Sequence, residues 1–100
     1  MHKSFKKQQV VELIKHSLDL YLAQNSDTFG FSHIIDVNMA EDLKTAYVYI
    51  SIPVEKNTKK LENKLTGDNR EIVRLFKESF TSKFLPKLKF VLIKDTDVKF

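Results

Sequence analysis

Val37-Asn38-Met39-Ala40-Glu41-Asp42-Leu43-Lys44-Thr45-Ala46-Tyr47-Val48-Tyr49-Ile50-Ser51 is the stretch whose reading decides the fold. Its apolar residues recur at every second position on either side of a short polar break. A period of two is that of a strand, whose successive side chains point to opposite faces. Followed back to Phe31, the alternation predicts His33, Ile35, Val37 and Met39 on one face and Asp36 and Asn38 on the other. Followed forward to Ile52, it predicts Val48, Ile50 and Ile52 on one face and Tyr47, Tyr49 and Ser51 on the other. Ala40 to Lys44 has the composition of a turn. Pro53 has no N–H to give a ladder and ends the second strand. Two strands with so short a connection predict an antiparallel hairpin.

Outward from the hairpin the period changes. From Lys6 to Gln24, Val10, Leu13, Ile14, Ser17, Leu18 and Tyr21 recur at spacings of three and four, which predicts an amphipathic helix. Asn25 to Gly30 reads as a loop. Beyond Pro53, Glu55 to Leu65 reads as a short lysine-rich helix, and Thr66-Gly67-Asp68-Asn69 interrupts it. Asp68 or Asn69 is placed to cap a second helix running to about Phe84, with Ile72, Leu75, Phe76, Ser79, Phe80 and Phe84 on its inner face. Pro86 stops that helix. Lys87 to Ile93 alternates once more and predicts a final strand. The order αββααβ gives an α+β fold: a three-stranded sheet with helices on one face, as one domain over residues 1–100.

Composition narrows the function classes. Hydrophobic residues make up 42% and charged residues 30% of the 100 residues, a globular balance. There is no Cys, which removes disulfides and cysteine-based zinc sites. No apolar run approaches the ~18 residues that cross a bilayer, and the basic start Met1 to Lys7 leads into an amphipathic pattern and not a signal-peptide core. A soluble, intracellular protein is expected. A net charge of +4 and a pI near 9.3 suit an anionic partner, nucleic acid above all.

Catalytic constellations are scarce. Gly30 and Gly67 are the only glycines, so there is no phosphate-binding glycine loop. His2, His16 and His33 have no metal-ligand spacing, and no metal or cofactor is expected. Asp36, Glu41 and Asp42 are close in sequence, but a polar strand face and a turn account for them. A small hydrolase built on Asp42 or His33 is the weakest reading.

The basic residues are better organised. Arg70, Arg74 and Lys77 are spaced i, i+4, i+7 and share one helix face opposite Ile72. Arg70 and Arg74 are the only arginines, and arginine suits bidentate phosphate contact. Lys56, Lys59, Lys60 and Lys64 lie along the preceding helix, and Lys83, Lys87 and Lys89 follow. The set reads as a phosphate-tracking surface, with Arg70, Arg74, Lys77, Lys83, Lys59, Lys60 and Lys64 as the RNA-binding residues. The same residues also read as a solvated helix face paired with Glu62, Glu71 and Glu78. Tyr47 and Tyr49 suit base stacking or cross-strand packing within the sheet.

The hairpin resembles that of the ribosome-binding factor A family, whose pattern V-x-x-S-x-D-L-x-x-A-x-V-Y-V-S is matched here by Asp42, Leu43, Ala46, Val48, Tyr49 and Ser51, with Ala40 in place of the Ser. Pro86-Lys87-Leu88-Lys89-Phe90 is similar to the family's P-x-L-x-F, and the first helix follows a basic start as in the family. The resemblance covers nearly the whole chain. It implies a type II KH-like fold and a monomer that binds the small ribosomal subunit and its rRNA. It further implies assistance in late subunit maturation, including rRNA 5′-end processing, and growth in the cold. It implies no catalysis, no cofactor, no small-molecule substrate and no membrane, in the cytoplasm or, for a eukaryotic source, an organellar matrix. Where the family carries an Ala-x-Gly kink between its later helices, this chain has Thr66-Gly67-Asp68-Asn69-Arg70. The competing reading is a basic protein-interaction module using its hairpin edge or an apolar patch.

Overall fold

A computed structural model describes residues 2–42, 44–79 and 86–95, with backbone alone for 2–6, 78 and 79. The described elements are α1 (His2–Gln24), α2 (Ser26–Phe29), β1 (His33–Met39), β2 (Thr45–Ile52), α3 (Thr58–Gly67), α4 (Asn69–Ser79) and β3 (Lys87–Lys94). With the one-turn α2 set aside, the order is the expected αββααβ. The sheet order is β1-β2-β3, antiparallel between β1 and β2 and parallel between β2 and β3. A parallel pair needs a long crossover, which α3 and α4 supply.

The central strand carries the core. Ala46, Val48, Ile50 and Ile52 of β2 are all fully buried, as their alternation predicts. Val10, Ile14, Leu18, Tyr21 and Leu22 of α1, Leu61 and Leu65 of α3, and Ile72 and Phe76 of α4 join them in one cluster. Leu88, Phe90 and Leu92 of β3 pack on its margin.

The expected faces of β1 hold only in its second half. Val37 and Met39 are buried, but Ile35 is 43% exposed, His33 is exposed and Ile34 packs against the core. The register explains the reversal. Ile34 pairs with Ile50 and Asp36 with Tyr49, leaving Ile35 as the extra residue of a β-bulge. One inserted residue exchanges the faces upstream of it.

The expected loop Asn25–Gly30 contains a helical turn. Phe29 is drawn into the core, where its ring meets that of Tyr21 edge-on at 5.7 Å between centroids. Gly30 closes the turn at φ +65°, donating its N–H to Ser26 O at 2.7 Å. A Cβ there would lie 3.3 Å from Lys56 Cε and 3.4 Å from Pro53 Cγ. Ser51 belongs to the outer face of the sheet yet is buried, because its hydroxyl donates to the Asp95 carboxylate. Lys94 Nζ donates to the carbonyls of Val54 (3.0 Å) and Lys56 (2.8 Å), which ties the end of β3 to the loop after β2.

The lysine-rich helix begins at Thr58, three residues later than its composition predicts, because Asn57 caps it. The Asn57 side chain accepts the Lys60 N–H at 3.0 Å, a cap worth ~1 kcal/mol. Phe80, Lys83 and Phe84, together with Leu43, lie outside the described residues.

Candidate nucleic-acid interface

The junction of α3 and α4 sets the site. Asp68 takes its place after the last turn of α3, its N–H donating to Lys64 O at 2.9 Å, and its carbonyl accepts the Ile72 N–H of α4 at 3.0 Å. Its carboxylate does not serve as the expected cap. It accepts the hydroxyl of Tyr21 at 2.6 Å and pairs with Lys64 Nζ at 3.0 Å. The Tyr21 hydroxyl holds the Asp68 carboxyl below the usual carboxylate range, and Lys64 adds to this. Burial pushes the Tyr21 hydroxyl well above its ordinary value, with the Asp68 hydrogen bond and charge as lesser causes. One contact thus joins α1, α3 and α4 where the family's kink differs in sequence.

Between this junction and β3 lies an open cleft of about 530 Å3. Glu62, Asn63 and Thr66 of α3 and Asn69 and Val73 of α4 line one side, and Pro86, Lys87, Leu88, Lys89 and Phe90 the other. Among the described residues β3 is an edge strand, paired only with β2, so within that set its other side presents backbone N–H and C=O groups without a ladder partner. Asn69 and Val73 also border a shallower concavity completed by Arg70, Arg74 and Lys77. The cleft therefore runs on over the outer surface of α4.

The expected RNA-binding residues divide into three sets. Arg70, Arg74 and Lys77 are exposed on one face of α4 and adjoin the cleft. The Arg74 guanidinium meets the exposed Glu71 at 2.7 Å; an exposed pair is worth ~0.2–1 kcal/mol and yields readily to a phosphate. Lys59 is exposed and lies three, four and seven residues before the cleft residues Glu62, Asn63 and Thr66, so it shares their side of α3. Lys60 and Lys64 do not line the cleft, and Lys64 is held by Asp68. Lys83 lies outside the described residues.

The site also contains residues that the candidate set omits. Lys87 and Lys89 line the β3 side of the cleft; alternation with the half-buried Leu88 and Phe90 was their signal. Asn63, Thr66 and Asn69 add hydrogen-bonding groups to its wall, three residues apart along α3 and into α4. Neither Asp42 nor His33 lines the cleft; His33 opens β1 and Asp42 lies in the turn after its other end. Among the described residues, no helix is long and apolar enough to cross a membrane.

Comparison with known proteins agrees with this architecture. The chain is similar over 86% of its length to the crystal structure of ribosome-binding factor A from Thermus thermophilus, with a TM-score of 0.70, 17% identity and 94% of that chain covered. It is also similar to a homology model of the Thermus thermophilus factor fitted into a cryo-electron-microscopy map of a 30S complex, with a TM-score of 0.64, 15% identity, and 85% and 88% of the two chains covered. No curated protein matches. At such identities the likeness establishes the fold, which is KH-like. Sequence carries the assignment further, because the family model for ribosome-binding factor A matches residues 6–99. On that match over nearly its whole length, the chain belongs to the ribosome-binding factor A family.

Proposed function

We propose that the chain, acting as a single KH-like domain, is a ribosome-assembly factor that binds small-subunit rRNA through the cleft between α3–α4 and β3. The observation that carries this reading is an open cleft edged by Lys87 and Lys89 of β3 that runs on, past Asn69 and Val73, into the concavity of Arg70, Arg74 and Lys77 on α4. Lys59 assists at the α3 rim, and Lys83, Lys60 and Lys64 add long-range charge. A homologous factor fitted into a 30S complex supports the choice of subunit. No bond is made or broken by the protein and no cofactor is needed. Binding biases the rRNA toward its mature conformation, which serves late maturation, 5′-end processing and growth in the cold. The protein works as a monomer in the compartment that holds the ribosomes, the cytoplasm or an organellar matrix.

Co-sedimentation with isolated small and large subunits across a salt series tests the reading. Binding to the small subunit alone, lost steeply as salt rises, is expected, since each phosphate contact on a single strand contributes a slope of about −0.7 in log K against log salt. No binding to either subunit at low salt contradicts it.

A second reading has one observation in its favour. Phe31 is 91% and Val54 is 51% exposed, on neighbouring loops held together where Gly30 meets Pro53 and Lys56. An exposed apolar pair suits a protein partner. Docking through it would tolerate salt, so the same series separates the two readings.

A further inference from the structure

Apart from Lys87 and Lys89, the outer face of the sheet has no part in the cleft reading, yet it borders the cleft. On this face β2 places Tyr47 and Tyr49, and the register sets Tyr47 opposite Asn38 of β1 and Lys89 of β3. Tyr47 is 38% exposed, and Asn38 and Lys89 are exposed as well. An exposed phenol ring on an open sheet offers a flat surface to a base. The neighbouring amide offers a donor and an acceptor to the base edge.

Charge decides between the two rings. The end of the face that holds Tyr47 also holds Lys87, paired in register with Thr45, and Lys44 lies in the turn just before β2; both are exposed. Their backbones are joined by Lys87 N–H donating to Lys44 O at 2.8 Å. Glu41 and Asp42 lie in the same turn, where the Asp42 carboxylate accepts the Lys44 N–H at 2.9 Å, and the three exposed lysines Lys44, Lys87 and Lys89 outnumber these two carboxylates. At the other end, Tyr49 is half-buried and sits opposite Asp36, and Asp95 takes up Ser51. A polyanion is favoured at Tyr47 and disfavoured at Tyr49.

Lys87 and Lys89 line the cleft and project to the outer face from the same edge strand. We infer that an RNA strand seated in the cleft continues over the β3 edge onto the outer face of the sheet, where Tyr47 stacks one base and Lys87 and Lys89 hold the phosphates at the crossing. The inference rests on the RNA reading of the cleft and extends it to a second surface. Stacking is sequence-tolerant because every base has a π-face, whereas the lysine contacts carry the salt dependence.

The test is titration of the whole chain with a single-stranded RNA of about ten nucleotides, within the site sizes usual for such binding, followed by tyrosine emission and amide chemical-shift mapping. The chain has no Trp and three Tyr, so stacking on Tyr47 is read as the part of the tyrosine quenching that Tyr47→Leu removes. Tyr47→Leu is expected to weaken binding about tenfold at every salt concentration with an unchanged slope, and Tyr47→Phe to keep the affinity. Lys89→Gln is expected to flatten the slope by about 0.7. The amides of Asn38, Tyr47 and Lys89 are expected to shift together with those of Arg70 to Lys77. Shifts confined to the cleft, with Tyr47→Leu binding as wild type, overturn the crossing and leave the cleft reading standing. No RNA binding by the wild-type chain overturns both. If Tyr47→Leu loses small-subunit binding but keeps RNA binding, the outer face meets a ribosomal protein and the RNA assignment falls.

Discussion

β2 and β3 carry the same alternation of large apolar residues and lie side by side in register, yet they meet different fates. The inner residues of β2 are fully buried; no residue of β3 is, and Leu88, Phe90 and Leu92 remain half-buried. Among the described residues β2 has a strand on each side and helices over one face, whereas β3 has one strand partner and a cleft. The difference teaches that one pattern serves two purposes. In the centre it builds the core, and at the edge it anchors a strand while leaving its lysines and one backbone edge available.

The largest effect that sharpens this contrast is on stability. Ile50→Ala is expected to cost ~3 kcal/mol, because a cavity opens among residues with no room to move. Leu88→Ala, already half in solvent, is expected to cost roughly 1 kcal/mol. Urea unfolding monitored by circular dichroism measures both; equal losses would remove the distinction between centre and edge.

Next comes the contact that fixes the helix junction. Tyr21→Phe leaves Asp68 with Lys64 alone and is expected to cost ~1.5–3 kcal/mol, the range for a hydrogen bond to a charged group. The pH dependence has two limbs. Asp68 is held below the usual carboxylate range in the folded state, so its contribution is present at neutral pH and is lost as pH falls through its folded value. Tyr21 is held above its ordinary value of 10.0, so its contribution is present below that pH and fades as pH rises beyond it. Tyr21→Phe is expected to abolish the alkaline limb and shrink the acid one in unfolding measured across pH. A variant with an unchanged pH profile would show that the contact does not fix the junction.

Gly30→Ala comes third, at roughly 1 kcal/mol, since φ +65° disfavours a side chain and the Cβ presses on Lys56 and Pro53. The same unfolding experiment reads it.

Much of this was legible from residues alone. The hairpin, the buried stripe of α1, the order of elements and the α4 cations all follow from periodicity. The first half of β1 did not, because a bulge at Ile35 leaves no mark in an alternating sequence and shifts every residue before it. The α2 turn was hidden in polar Asn25 to Thr28, where the burial of Phe29 against Tyr21 decides the backbone. The candidate site was half legible. Spacing along α4 groups Arg70, Arg74 and Lys77, but a parallel crossover brings Lys87 and Lys89 to the cleft that adjoins them, and spacing carries no such information. Lys64 shows the converse: its composition suggests a phosphate contact, and its geometry gives it to Asp68.

The smallest effect on stability belongs to the variant with the most to say about function. Arg70→Ala with Arg74→Ala removes two exposed side chains and is expected to change stability by no more than ~0.5 kcal/mol. Small-subunit affinity of this double variant and of the wild type, measured across a salt series, separates rRNA binding at α4 from binding elsewhere on the chain. A log–log salt slope flatter by about 1.4, at two phosphate contacts of ~0.7 each, is the predicted result. An unchanged slope with unchanged affinity would contradict the assignment of rRNA binding to the α4 side of the cleft.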